Sequence, residues 1–323
     1  MKLVTEFLSK RLPLLILLIA VITYFSPYYL QAPPWIPSLL LGIVIYFAGL
    51  SMDIDAIRGI GRKKRELFIA SLLKWTITVF ISVGIAYLFF SSNPELAAGI
   101  ILSGTVPSAT AATLYTFLAG GNASLVIAAS LIDVVVSPIV TPLSFMGMSD
   151  TLVTISFFDL FRSFLLIVVL PLGAGIITQR KYPNSKHHSK AATKFGSSLA
   201  LLLTVHIIVG SGRDAIEKEI AILPILFLAI FIQVVFPMIA AYFIAKKLLV
   251  SEADARAILF QVGLCNTALA AILAFEFIGE LAAIAPIINM IINLSTGSWI
   301  SNYFGRKSIP QEFVVTERAT HAK

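Results

Sequence analysis

The sequence predicts an all-α protein that crosses a membrane many times. Of its 323 residues, 58% are hydrophobic and 13% are charged. The apolar residues come in repeated runs of roughly eighteen or more, the length that a helix needs to cross the hydrocarbon core of a bilayer. Nearly all Lys and Arg residues fall between these runs, as they do in the loops of membrane proteins. The net charge of +7 therefore predicts no nucleic-acid partner.

Ten apolar segments are long enough to be spans. The first follows basic residues, as a secretory signal would, but no small-residue cleavage pattern follows it and the second begins almost at once. We therefore expect the first to be retained as a span. The predicted spans cover residues 13–30, 35–52, 66–90, 95–119, 122–146, 155–178, 194–212, 221–245, 255–278 and 281–303.

The basic residues also predict the orientation of the chain. If the N-terminus is cytoplasmic, only Arg213 and Lys218 of the 24 Lys and Arg residues fall in outside loops. Lys74 and Arg162 lie inside a span or at its edge, and the others face the cytoplasm. Positive charge is enriched in cytoplasmic loops. We therefore predict a multi-pass protein of the cell inner (plasma) membrane with both termini in the cytoplasm.

The fourth and ninth spans look interrupted at matching places in the two halves. Pro107 removes a helix donor in the fourth, and polar residues crowd around Gln261 in the ninth. Five helices followed by five give the second half the opposite orientation, and matching interrupted helices indicate an inverted-repeat transporter with its site near the midplane. Close packing of small residues is the alternative explanation. The predicted division is a first repeat over 1–147, a second over 148–305 and a cytoplasmic tail over 306–323.

Lys74 lies deep inside the third span. It follows Arg65 by nine residues, which at roughly 1.5 Å per residue is too far from the interface for the side chain to reach headgroups easily. A charge at that depth costs roughly 2.5 to 3.5 kcal/mol, so it marks a candidate site. Asp133 in the fifth span is the only acid well inside a span and is the expected counter-charge.

The sequence offers little support for an enzyme. A zinc protease needs His-Glu-x-x-His, an aspartyl protease needs two deep acids and a serine hydrolase needs a nearby base, and we find none of these patterns. We predict no catalytic residue, no metal ligand and no cofactor. The single cysteine, Cys265, permits no internal disulfide, and we interpret it as a small apolar filler. A passive channel would leave a continuous polar stripe instead of two separate broken segments.

Several segments in order resemble the bile acid sodium symporter family, and the likeness extends to about Phe304. They are the second span around residues 40–54, the stretch 107–125, the proline-rich end of the fifth span at 137–142, residues 169–173 and residues 262–270. The resemblance implies discontinuous crossing helices in spans four and nine, a panel of spans one, two, six and seven, and a core of the other six. It also implies sodium-coupled uptake of a small organic anion by alternating access.

The chain departs from that family where sodium is bound. The family usually has Glu-x-Gly-x-Gln-Asn in its ninth helix, where this chain has Gln261 and Cys265. A family glutamine in the third span aligns with Lys74. In the fourth and fifth spans, Asn becomes Thr113, a serine becomes Val126 and a threonine becomes Ser130. Sodium needs oxygen ligands and nearby negative charge, and these changes remove much of both.

We therefore predict that the Lys74 ammonium takes the place of a sodium ion. Its three donors could reach Thr113, Ser130, Gln261 and backbone carbonyls of the broken helices. Coupling to protons and a fixed structural ion pair with Asp133 both remain open. An ordinary sodium-coupled symporter is the alternative function. The expected substrate-binding residues lie at the two breaks and are Pro107, Ser108, Thr110, Asn266 and Thr267. The expected partners are the lipid bilayer and a small organic anion, with the oligomeric state open.

Overall fold

A computed structural model of the chain describes residues 2–33, 35–52, 61, 63–144, 156–182 and 185–307. Over those ranges the protein is almost entirely helical, and its only β-type pairing is one isolated bridge. The α-helices are α1 (Lys2–Phe25), α2 (Trp35–Ser51), α3 (Lys64–Leu73), α4 (Val79–Phe89), α5 (Pro94–Thr105), α6 (Thr110–Leu118), α7 (Ala123–Leu143), α8 (Phe157–Phe164), α9 (Leu170–Lys181), α10 (Ser185–Ser211), α11 (Arg213–Lys218), α12 (Leu223–Lys247), α13 (Glu252–Gly263), α14 (Thr267–Phe277) and α15 (Ile284–Lys307).

Four continuous helical segments in the described ranges are long and apolar enough to cross a membrane. They are Lys64–Phe89, Ala123–Leu143, Phe157–Lys181 and Ile220–Lys247. The fourth and ninth predicted spans are not among them because each is split into two short helices. Other segments are helical with shorter apolar stretches, such as Trp35–Ser51. The protein is therefore a helical membrane protein, as the composition predicts.

The first helix corrects one predicted boundary. We predicted a span over 13–30, but α1 ends at Phe25 and already includes the residues from Lys2. Pro27 lacks the N–H that would continue the helix, and it also disfavours helical geometry at Ser26. The predicted boundary between the repeats, at residues 147 and 148, lies outside the described residues. So does the tail beyond Lys307.

Two groups of helices can be distinguished by their packing. In the smaller group α2 packs on α9 and α10, and α10 packs on α1. In the larger group α12 packs on α13 and α15, while α5 contacts α4, α14 and α15. The ring of His206 in α10 helps to hold the smaller group together, since it is hydrogen-bonded to Thr23 Oγ1 and accepts from Leu30 N. Ser38 of α2 joins the two groups by donating to Glu276 at the end of α14 over 2.6 Å.

Two π-helical turns interrupt otherwise continuous helices. One, at Lys74–Thr78, joins α3 to α4, and the other, at Leu165–Val169, joins α8 to α9 shortly before Pro171. A π-helical turn inserts an extra residue, which rotates the following helix relative to the preceding one. In the third span this insertion begins at the buried lysine itself. Such turns are frequent at functional sites.

Candidate functional site

The two interrupted helices meet at their breaks. Ser108, between α5 and α6, pairs with Cys265, between α13 and α14, as an isolated antiparallel bridge. Ala109 N donates to Leu264 O over 2.8 Å, and Asn266 N donates to Pro107 O over 2.7 Å. Unwound backbone inside a membrane must have its polar groups satisfied by protein or line a cavity. Here each break supplies partners for the other.

Lys74 reaches this crossing from the π-helical turn. Its side chain is 0% exposed, and its Nζ donates to Cys265 Sγ over 2.7 Å. The π-helical turn begins at Lys74, the residue whose side chain extends to the second break. The sequence reasoning correctly placed the lysine deep inside the protein. It did not foresee the π-helical turn, and it misread Cys265, which is a polar partner.

Asp133 lies beside the first break and accepts hydrogen bonds from four donors. Trp75 Nε1 is 2.9 Å from its Oδ1. Its Oδ2 accepts from Ser108 Oγ at 2.6 Å, Ser108 N at 3.2 Å and Gln261 Nε2 at 2.6 Å. A buried carboxylate is tolerated when its lone pairs are satisfied in this way. The carboxylate is 0% exposed and ties α7 to both broken helices.

The two buried charges are neighbours without direct contact. Lys74 is close enough for its charge to attract Asp133, yet within the described residues no nitrogen-to-oxygen distance of 4.0 Å or less joins them. Trp75, the residue after Lys74, is the one that contacts the carboxylate. The direct ion pair that the sequence left open as an alternative is therefore absent here, and tryptophan, serine and glutamine bind the aspartate instead.

The other expected partners of Lys74 lie nearby but bond elsewhere. Ser130 Oγ donates to Gln261 Oε1 over 3.3 Å, while Gln261 also bonds Asp133. Thr113 is half-buried one turn into α6. Gln261 and Ser130 therefore belong to the Asp133 side of the site, and the contact that Lys74 makes is with the thiol. The described residues contain no cluster of three or more His, Cys, Asp or Glu side chains that could hold a metal.

The helix N-termini at the crossing differ in their capping. Asn266 caps α14, because its side-chain oxygen accepts from Leu269 N at 3.3 Å. Ala109 offers α6 no side-chain cap, and Thr110 in the first turn is exposed. The first N–H groups of a helix have no partner within the helix and favour an anion. Thr267, the first residue of α14, is buried and donates its N–H to Cys265 O.

Two asparagines of α15 were missed by the sequence reasoning. Asn293 Nδ2 donates to Cys265 O over 2.9 Å, so it fixes the backbone of the second break. Asn289 Nδ2 donates to Gln233 Oε1 over 3.1 Å, and Gln233 in turn donates to Ser82 Oγ and Ile100 O. The signal in the sequence was a pair of amides four residues apart in the last apolar segment, which puts both on one helix face.

The comparison with known protein families decides the class. The Sodium Bile acid symporter family matches residues 38–219, more than half of the chain. The chain belongs to this family. The match confirms the resemblance that the sequence segments indicated, and the matched residues include the first break, between α5 and α6.

Individual relatives are similar over most of their length. The uncharacterized sodium-dependent transporter YocS of Bacillus subtilis (strain 168) is 27% identical over 276 residues, covering 84% of this chain and 85% of that protein. The probable sodium/metabolite cotransporter BASS1, chloroplastic, of Arabidopsis thaliana is 25% identical over 293 residues, covering 87% and 69%. The uncharacterized protein YbaS of Bacillus subtilis (strain 168) is 23% identical over 285 residues.

Proposed function

We propose that this protein is a secondary active transporter of a small organic anion, and that the ammonium of Lys74 stands in for a sodium ion. The observation that carries the proposal is the position of Lys74, which is 0% exposed with its Nζ 2.7 Å from a residue of the second break. A fixed unit charge at that place offers the electrostatic stabilisation that a bound cation would otherwise supply. Transport is then sodium-independent or proton-coupled.

In this proposal the substrate binds beside the crossing, between the smaller and larger groups of helices. Its anionic group faces the N-terminus of α6, where no side chain caps the free N–H groups. Thr110 and Thr113 extend from the same turn, and Asn266 and Thr267 lie at the start of α14. The substrate is released on the other side when the two groups change their relative position.

The proposed architecture is ten spans in two inverted repeats of five, with both termini in the cytoplasm. Support comes from the placement of the breaks, which separate α5 from α6 in the first half and α13 from α14 in the second. It also comes from the Lys and Arg distribution. Inverted repeats with crossing half-helices commonly hold substrate near the midplane. A transporter of this design needs no catalytic residue.

An ordinary sodium-coupled symporter is the second candidate. One observation favours it, because two similar proteins are named as a sodium-dependent transporter and as a probable sodium/metabolite cotransporter. Thr113, Ser130 and the side-chain oxygen of Gln261 would then be the remaining oxygen ligands. Against it stands the aligned Lys74, whose charge opposes a cation at the same place.

Uptake into proteoliposomes separates the two candidates. The probes are radiolabelled pyruvate, other small monocarboxylates and taurocholate, each with a sodium gradient or a proton gradient imposed alone. We expect uptake of a probe by the parent without sodium, and a loss of about tenfold or more in Lys74→Gln. Lys246→Gln is the matched control, because it removes a half-exposed lysine that pairs with Glu252. Strict dependence of the parent on sodium would refute the tethered cation and favour the second candidate.

A further inference from the structure

Lys74 and Cys265 form an isolated pair of nucleophilic groups. Cys265 is the only cysteine of the chain, and its side chain is buried. The Lys74 Nζ has three donors, and within the described residues its one side-chain hydrogen bond goes to the Cys265 sulfur. Asp133 attracts the ammonium but forms no ion pair with it within the described part of the chain, and the sequence has no second thiol. The two groups therefore have each other as reaction partners.

The backbone on both sides of the pair is fixed. Lys74 begins the π-helical turn, whose Thr78 donates its hydroxyl to Val262 O over 2.9 Å. Cys265 belongs to the bridge with Ser108, and Asn293 holds its carbonyl. The separation of 2.7 Å between nitrogen and sulfur is thus maintained from both sides. Reaction between two groups held face to face avoids most of the entropy cost of bringing them together.

We propose that Lys74 and Cys265 form a reversible covalent bridge in which one oxygen atom joins Nζ to Sγ, and that this bridge switches the transport site off under oxidising conditions. A nitrogen and a sulfur 2.7 Å apart are at a separation that a single bridging oxygen can span. Closing the bridge therefore requires no movement of the backbone. The substrate of the reaction is dioxygen, which is small and apolar and enters the interior of a bilayer without the desolvation cost of a polar oxidant.

The reaction balances with one molecule of dioxygen. One oxygen atom enters the bridge, forming an S–O and an N–O bond, and the other leaves as water. The thiol loses its hydrogen and the ammonium loses two, so water takes two of these and the third leaves as a proton. Sulfur and nitrogen are each oxidised by two electrons, and dioxygen accepts all four. Two equivalents of a dithiol reductant return the thiol, the amine and one water.

The bridge removes the positive charge of Lys74, because the bridged nitrogen keeps one hydrogen and is neutral. If the ammonium stands in for a cation, the bridged protein lacks that cation and does not transport. This consequence rests on the proposed function. Formation of the bridge does not, since it depends only on the geometry of the two side chains and on the reactivity of a thiol beside an amine.

Mass spectrometry of the full chain tests the bridge. Purified parent protein is divided between dioxygen-saturated and anaerobic buffer, denatured and digested. The expected product is a linked peptide pair containing Lys74 and Cys265, heavier than the two peptides by one oxygen atom and lighter by two hydrogen atoms. It disappears after treatment with dithiothreitol. Cys265→Ser and Lys74→Arg are the control variants, and neither yields a linked pair.

A second measurement uses the parent alone and does not depend on the folding of either variant. Because the chain has one cysteine, thiol titration after denaturation gives the bridged fraction directly. We expect dioxygen to lower the free thiol per chain and dithiothreitol to restore it, without a disulfide-linked dimer on a non-reducing gel. An unchanged thiol overturns the proposal, and so does an oxidised Cys265 that is not linked to Lys74.

Uptake measured on the same samples tests the switch. The parent should lose transport in proportion to the bridged fraction and recover it with dithiothreitol, whereas any uptake by Cys265→Ser should not respond to dioxygen. Bridged protein that transports as well as reduced protein overturns the switch. The proposed function fails on a different result, a strict sodium requirement of the parent, and that result leaves the linked peptide unaffected.

Discussion

Ser108 and Cys265 face each other where the two interrupted helices cross, and a buried side chain from a neighbouring helix holds each of them. Asp133 of α7 accepts both the N–H and the hydroxyl of Ser108, while Asn293 of α15 donates to the carbonyl of Cys265. The side chain that holds the first break is a carboxylate, and the one that holds the second is a neutral amide. Lys74, the one buried cation among the residues whose burial the structure describes, lies against the second break. Charge is therefore distributed unequally across a crossing whose backbone is nearly symmetric.

Removing the Asp133 carboxylate should strongly destabilise the protein. In Asp133→Ala the indole of Trp75, the N–H of Ser108 and the amide of Gln261 lose their acceptor, and Lys74 loses its neighbouring negative charge. We expect a loss of roughly 3 to 5 kcal/mol in the free energy of unfolding. Thermal or denaturant unfolding in detergent measures it. Asp159→Asn, at an exposed position, is the control and should change little. A loss below about 1 kcal/mol for Asp133→Ala would contradict the assigned network.

Two substitutions of Asn266 should separate capping from substrate binding. Asn266→Ala removes the cap of α14 and should cost about 1 kcal/mol of stability. Asn266→Asp keeps an oxygen that caps the helix, so it should keep the capping contribution that Asn266→Ala loses, less the cost of a charge inside the membrane. It also places a negative charge beside the proposed anion site, so its uptake should fall by about tenfold or more. Melting temperature and uptake are measured on both variants. Normal uptake by Asn266→Asp would remove this residue from the substrate site.

Gly104 should be replaceable only together with its neighbour. A Cβ at this position would lie 1.8 Å from Ser82 Oγ and 2.7 Å from Ser82 Cβ. Gly104→Ala should therefore destabilise the protein by roughly 1 to 3 kcal/mol, and Ser82→Gly should recover part of that loss in the double variant.

Two other glycines supply the controls for that experiment. A Cβ at Gly99 would lie 2.0 Å from the backbone oxygen of Ala282. No side-chain substitution can remove that clash, so Gly99→Ala should have no compensating partner. At Gly173 no atom lies within 4 Å, so Gly173→Ala should be neutral or slightly stabilising. Equal melting temperatures for Gly104→Ala and Gly173→Ala would contradict the close approach of α4 and α5.

The stability of the protein should depend on pH through Asp254, which lies in the first turn of α13. Its carboxylate accepts from Lys63 at 2.5 Å, from Asn122 at 2.7 Å and from Ser251 at 2.6 Å. Burial raises the pKa of Asp254, but these hydrogen bonds outweigh burial and hold the pKa below its usual value of 3.8. A lowered pKa in the folded state stabilises the protein above the unfolded pKa, and this contribution is lost as the pH falls through the folded pKa.

Unfolding measured between about pH 6 and pH 3 tests this contribution. In the parent, stability should fall as the pH drops below about 4. This fall should be absent or much smaller in Asp254→Asn and smaller in Lys63→Met, because each variant removes one side of the ion pair. Tyr46→Phe is the control, since it removes a hydrogen bond to the neutral Thr178 and leaves Asp254 unchanged. If Asp254→Asn retains the acid-induced loss of the parent, the carboxylate is not its source.

The sequence predicted the helical class and the position of Lys74, but it did not predict the partner of the lysine. Depth in the bilayer is a local property, because it follows from the apolar residues on either side of Lys74. Contact with Cys265 joins residues 191 positions apart and depends on a π-helical turn that rotates α4 relative to α3. No periodicity in a single segment records that rotation. The choice of Thr113, Ser130 and Gln261 as partners did not take this rotation into account.

The roles of Trp75 and Asn293 could not be predicted for the same reason, because they too depend on contacts between distant helices. A tryptophan in an apolar span is ordinarily a packing residue, and its role as a donor to Asp133 requires α7 to lie beside it. Asn293 fastens a break that belongs to a different helix. The breaks themselves were predictable because proline and clustered polar residues interrupt a helix locally. The side chains that hydrogen-bond to the breaks come from other helices, so their identity depends on packing between segments far apart in the chain.

The dependence of stability on sodium tests the central claim without knowledge of the substrate. The melting temperature of the purified parent is measured across a titration of sodium chloride, with choline chloride keeping the ionic strength constant. Because Lys74 already supplies the positive charge, we predict the same melting temperature in both salts at every concentration. A saturable rise in melting temperature with sodium, as expected when a ligand binds only the folded protein, would contradict the account.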